Sequence, residues 1–192
     1  QFTNLGQTAL GIGNDANAHA SGVGLGASSI TVTRSVFTRT SAGGIVVGGV
    51  RADAHHPSDS RMTNRNITIS NNSIRASAGT ITLRHGQGST VSGNFILGEN
   101  KAGTGGIRVI GPNQTVTNNY MADLDTNALS ITTGYDDWDV VDTATGYEPV
   151  DNALIAHNTA INVTDQIVTR DAGYNSTPNR IVRPANVKMI NN

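Results

Sequence analysis

The chain has 192 residues, 36% hydrophobic, 4% aromatic and 14% charged, with 22 Gly, no Cys and a net charge of −1. So little bulky apolar material excludes a helical bundle or a doubly wound α/β domain, and the low charge with regular Ile/Val alternation excludes a disordered chain. Near-neutral charge removes the signature of a nucleic-acid binder, no apolar run reaches membrane-spanning length, and the missing Cys rules out disulfides and thiolate chemistry.

Taken in order, the chain repeats one unit: short β-branched runs separated by Gly- and Asn-rich corners. One set of runs is TALGIG at 8–13, GGIVVGG at 43–49, TITLRHG at 80–86, GGIRVIG at 105–111, ALSITTG at 128–134 and QIVTRDAG at 166–173. A second set ends each time on an amide or hydroxyl residue. Ser35 follows ITVTR, Asn72 follows ITISN, Asn94 follows TVSG, Asn119 follows TVTN, Asn158 follows LIAH and Asn192 follows KMIN. The successive gaps are 37, 22, 25, 39 and 34 residues. A period in the low twenties without a helical signal is one coil of a parallel β-helix, and the longer gaps are a coil plus an insertion. The expected fold is therefore all-β: one right-handed parallel β-helix domain of about five to six coils. Asn at the same corner of successive coils predicts a ladder of stacked side-chain amides.

Alternation across each strand divides inside from outside. Ile81, Leu83, Ile107, Val109, Leu129, Ile131 and Ile167 are expected to point in. Thr82, Arg84, Arg108, Ser130, Thr132 and Arg170 are then expected to point out, giving one outer face a row of Arg. The insertions, at roughly 50–65, 135–152 and 174–185, all fall after this strand and before the Asn-corner strand. Such loops make the walls of a cleft whose floor carries Arg84, His85 and Arg108. Gln1 opens inside a coil and Asn192 closes on a ladder position, so both ends read as uncapped cuts in a longer β-helix, able to associate end to end.

Outward Arg in a narrow cleft suits an extended polyanion, because guanidinium recognises carboxylate bidentately. A linear uronate polymer carries one carboxylate per sugar. Arg170, Arg61, Trp138 and Tyr147 are further candidates for contact with it, Trp138 through stacking on a sugar ring. DDWD at 136–139 with Asp142 offers a carboxylate pair of the kind used by a glycoside hydrolase. His55 and His56 with Asp53 or Asp59 have metal-ligand chemistry but the look of an ordinary exposed loop.

TLRHG, GNFILG, TGGIRVIG, TNNYM and NALIAHNT, in that order and spacing, resemble the family-6 polysaccharide lyases, the alginate lyase and chondroitinase B group. The resemblance runs from about 76 to 192. Residues 1–75 resemble another, secreted group of right-handed β-helix proteins, so the chain reads as one domain with a join near 73–78, or as a trimmed fragment. The resemblance implies a secreted enzyme that cleaves an acidic glycan by β-elimination: a base takes the proton at C5 of a uronate and an acid protonates the departing O4. The family's acid, the Arg of RHG, falls on Arg84 with His85 beside it, and Arg108 matches the Arg of GGIRVIG. The family's base is a Lys about twenty residues earlier, preceded by acids that hold calcium. Here that stretch is Arg61-Met62-Thr63, with His56 and Ser58 in place of the acids and only Asp53 and Asp59 near. No cofactor is therefore expected, and a substitute base is sought in His85, Tyr135 or Tyr147. The partner implied is an acidic polysaccharide. A non-catalytic glycan-binding module or scaffold is the second reading, and a hydrolase using the Asp136–Asp142 loop the third.

Overall fold

The structure, a computed structural model, describes residues 1–13, 26–48, 63–84, 86–134, 148–170 and 182–192. Among them there are only strands and turns, and every strand pairing is parallel. One sheet stacks six rungs in coil order: Thr31–Thr33, Thr68–Ser70, Thr90–Ser92, Thr115–Thr117, Leu154–Ala156 and Lys188–Ile190. Its register is in step throughout, Val32 beside Ile69, Val91, Val116, Ile155 and Met189. This is a parallel β-helix, in which each coil covers the apolar floor of the one before it.

The other rungs form two stacks that merge. Phe2–Leu5, Val36–Thr40, Ser73–Arg75 and Phe95–Leu97 make the first, Leu10–Ile12, Ile45–Val47, Ile81–Leu83 and Ile107–Val109 the second. Two long strands, Tyr120–Thr132 and Thr159–Arg170, run through both. Tyr120 pairs with Phe95 at one end of the longer strand and Leu129 with Ile107 at the other. The sequence reading expected separate strands at 128–134 and 166–173. Here a register shift between Leu124 and Asn127 absorbs the bend that other coils make as a turn.

The interior is a column of aliphatic side chains. Ile45, Ile69, Ile74, Ile81, Ile96, Val109 and Met121 are fully buried, and Phe37 is the large aromatic among them. Ile81, Leu83, Ile107, Val109, Leu129 and Ile131 point inward as alternation requires, and Ile167 is partly buried against the same core. A bore this narrow takes β-branched residues well and has little room for Trp, which explains the composition.

Corners are set by residues in the left-handed region. Arg34, Asn71, Gly93, Asn118, His157 and Asn191 all have φ between 46° and 64°, and each stands just before a ladder position. Turning there aims the next side chain into the corner. Asn72 Nδ2 donates to Asn94 Oδ1 at 3.0 Å, Asn94 to Asn119 at 2.9 Å, Asn119 to Asn158 at 2.9 Å and Asn158 to Asn192 at 2.8 Å. Each of these Oδ1 atoms also accepts from the backbone N–H of the preceding ladder residue, as Asn119 Oδ1 does from Asn94 N at 3.0 Å. The second Nδ2 hydrogen goes to a carbonyl one coil back, for Asn119 that of Val91 at 3.0 Å. Ser35 begins the series by donating its N–H to Asn72 Oδ1.

Asn119 is 1% exposed and takes part in four of these bonds, so truncating it leaves several buried groups unpaired. Asn119→Ala is expected to lower stability by on the order of 3 kcal/mol. Thermal unfolding followed by circular dichroism checks this, with exposed Lys188→Ala as the control expected to shift it little.

Candidate functional site

Arg84 follows Ile81–Leu83 directly, and Arg108 is the middle residue of Ile107–Val109. Arg108 pairs in register with Thr82, which places Arg84 one coil away and two residues further along. The two Cα atoms are therefore separated by one 4.8 Å strand spacing and two ~3.3 Å steps, about 8 Å in all. Both residues are half-buried and occupy outward positions of one sheet. Thr132, two coils on from Arg84, pairs with Arg170 on the next coil, so the Arg170 backbone lies in the same transverse row as Arg84. Ser130 and Thr132 also hold outward positions, but they are buried at 1% and 0% exposure. The outer face is thus open around Thr82, Arg84 and Arg108 and covered at the next coil.

The long excursions leave from one edge of this sheet. The chain departs after Val47, after Thr132 and after Arg170, three rungs in the stack that carries Arg84. Two of the loop bases are tied together, Gly134 N–H donating to Val182 O at 2.8 Å and Val182 N–H to Gly134 O at 3.1 Å. The connections at 84–89 and 110–114 are short. A further excursion, 98–106, sits at the opposite end of the strand. Its extra length over 76–80 accounts for the coil of 25 residues against 22, which the sequence reading had taken as bare.

His85, Tyr135, Trp138, Tyr147 and Arg61 lie outside the described residues, as do the Asp136–Asp142 loop, His55, His56, Asp53 and Asp59. Among the described residues no three His, Asp or Glu side chains gather as ligands of a cation. The stretch to which the lyase resemblance assigns calcium-holding acids is within 49–62, outside the described residues.

Glu148 was missed in the sequence. One carboxylate oxygen lies 3.3 Å from where a Cβ on Gly111 would stand, and that same point is 3.0 Å from the Gly86 carbonyl. The carboxyl thus sits over the corner that follows Arg84 on one coil and Ile110 on the next. Burial strips it of water and pushes its pKa up from 4.5 to about 7. Nothing in the local sequence signals this, because the shift comes from the return of the chain after the excursion ending at 147. Gly111 has φ 88° and no room for a side chain at this corner, so glycine is required here.

Fold and site together define a parallel β-helix with two Arg on outward positions of neighbouring coils, the class to which polysaccharide lyases of the sixth family belong. The family model described as Chondroitinase B matches residues 50–192, and the chain belongs to that family. The match starts upstream of the expected resemblance, which began at about 76. Among solved structures, a mutant of the PL6 family alginate lyase AlyGC is 27% identical with a TM-score of 0.63, covering 83% of this chain and 24% of that one. The PL6 family polysaccharide lyase Pedsa3628 from Pseudopedobacter saltans is 19% identical, TM-score 0.62, covering 97% and 52%. A mannuronic acid specific family 6 lyase from human gut microbiota is 21% identical, TM-score 0.51, covering 97% and 43%. The chain therefore spans between a quarter and about half the length of these structures. No curated protein matches the sequence.

A carboxyl whose pKa is raised from 4.5 to about 7 by folding stabilises least at high pH. Its contribution is whole below pH 4.5 and is lost as pH rises through about 7. Glu148→Gln is expected to flatten this dependence and to gain roughly 2 kcal/mol at pH 8 and nothing at pH 4. Denaturant unfolding at both pH values checks the sign.

Proposed function

We propose that this chain binds a uronate-containing polysaccharide along the outer face of the Arg84 and Arg108 sheet and cleaves it by β-elimination. The observation that carries this is the pairing of two guanidiniums on one open face, one coil apart, beside the edge from which the long loops rise. A linear chain of carboxylates fits two cations at fixed spacing, and planar guanidinium recognises carboxylate through paired hydrogen bonds.

The chemistry follows from where charge develops. Removing the C5 proton, α to the carboxylate, puts negative charge on the carboxylate, and a cation fixed beside it in a low-dielectric groove stabilises that charge. Arg108 takes this role. The C5–H electrons form the C4–C5 double bond, the C4–O4 bond breaks, and O4 leaves protonated with Arg84 as the acid of the family's RHG pattern. The base is supplied by His85 or Tyr135, with Tyr147 of the same wall loop as the alternative. Arg170, Arg61 and Trp138 extend the contact surface for the polymer. Family membership favours an extracellular or periplasmic setting, where such polymers are met.

A second reading has a specific ground. The stretch that answers to the family's base, counted back from Arg84, is Arg61-Met62-Thr63 with no Lys, which favours a module that grips the glycan without cutting it.

Incubation with alginate and with dermatan-type chains separates the readings. Cleavage by elimination raises low-ultraviolet absorbance through the new double bond, and Arg84→Ala is expected to abolish that rise. Glycan retention on an affinity gel with flat absorbance supports the binding module instead. New reducing ends without absorbance overturn elimination in favour of hydrolysis. Arg108→Ala is expected to lower kcat by about a hundredfold with a smaller rise in KM, because the charge it meets on the carboxylate grows in the transition state.

A further inference from the structure

Next to Arg108, on the side away from Arg84, the outer face dips into a hollow of about 180 Å³. Its floor is glycine backbone. Gly105 and Gly106 are buried, and a Cβ there would stand 2.8 Å from Thr126 Oγ1 and 2.0 Å from the Ala128 carbonyl. No side chain can project from either position, so the floor stays flat. The Thr80 hydroxyl lies 2.8 Å from the Gly105 carbonyl oxygen and 2.6 Å from that of Gly106, and holds the pair from beneath.

The far wall is equally fixed. Thr126 Oγ1 donates to Thr104 O at 3.0 Å, Asp125 N–H to Thr104 Oγ1 at 3.1 Å and Gly103 N–H to Asp125 Oδ2 at 2.8 Å. These bonds pin the 98–106 excursion to the long strand at its register shift, and that shift turns Asn127 toward the rim. Thr82 and Arg108, paired in register, form the near rim. The hollow is therefore rigid and floored for close approach. Around it stand the hydroxyl residues Thr82, Thr126 and Ser130, the amide of Asn127 and the guanidinium of Arg108, with apolar lining confined to Ile107. Its volume is that of one pyranose ring and not of a longer segment.

We propose that this hollow is a sugar subsite that receives the uronate ring next to the unit cleaved at Arg84, its ring hydroxyls on Thr82 and Asn127, while Arg108 at the rim keeps the carboxylate of the cleaved unit. The assignment rests on the glycan reading above and adds to it the 98–106 excursion as the element that sets substrate length. A polymer entering here crosses the face from the glycine floor toward the wall loops. The subsite exists because this coil spends its extra residues at the opposite corner from every other long coil.

Binding of an oligouronate ladder, disaccharide to hexasaccharide prepared from alginate, is measured by calorimetry for the wild type and two variants. Thr82→Val keeps the shape and the strand preference while removing the hydroxyl. Gly79→Asn places a side chain at the mouth, where nothing lies within 4 Å of the new Cβ and where the φ of 52° is one that Asn tolerates. In the wild type, one added sugar is expected to raise affinity stepwise at the length that reaches the hollow. Thr82→Val is expected to cut that step about fivefold, the worth of one hydrogen bond, and Gly79→Asn to abolish it. Unchanged circular dichroism shows that both variants fold. A step of wild-type size in both overturns the subsite and leaves the glycan reading standing. No binding of any oligouronate by the wild type overturns both.

Discussion

The chain of amides running through Asn72, Asn94, Asn119, Asn158 and Asn192 is the constraint on which the rest of the molecule depends. From Asn94 on, each amide joins two coils three times over, through its Oδ1 to a backbone N–H and an Nδ2 of the coil before and through its Nδ2 to a carbonyl of that coil; Asn72, preceded by Ser35, makes two of the three. The bonds lie in a dry corner, where an unpaired polar atom costs far more than a paired one gains, so every coil must present the same atom at the same height. With that height fixed, the strand registers follow, and with them the distance between any two outward side chains on neighbouring coils. The spacing of Arg84 from Arg108 is in this sense decided at the opposite corner of the coil.

Left-handed residues complete the frame. Besides the stack before the ladder, Ser29, Asn66, Asn113, Asn152 and Asn186 all adopt φ between 50° and 59° just ahead of the six-rung sheet. Exposed amides bond along this stack too, Asn152 to Asn113 and Asn186 to Asp151, each at 2.8 Å. Asn is favoured there for backbone reasons before any side-chain bond is made, since its short polar group tolerates the left-handed region. The abundance of Asn and Gly is therefore a consequence of turning sharply at stacked corners.

What could be read from residues alone divides along the same line. The ladder positions were legible because an amide stack demands one residue type at one place in every coil. The inward set from Ile81 to Ile131 was legible because strands alternate. The second Asn stack was not, since Asn66 or Asn113 looks like any exposed turn residue. The continuity of Tyr120–Thr132 was hidden as well, because Asp123 and the register shift after Leu124 look like a corner in the sequence and become part of a strand in space. Glu148 was illegible for a different reason: its unusual acidity is a property of what the folded chain packs around it. For the site, sequence and structure agree on the face that carries Arg84 and Arg108, while the base rests on the sequence.

The excursions all sprout from corners that lack the buried amide stack. A coil can lengthen there by a handful of residues, as at 98–106, or by many, as after Thr132, and the neighbouring rungs remain aligned. Mutation can thus reshape the rim of the groove without touching the spine, so that what the molecule recognises and what keeps it folded drift independently over generations.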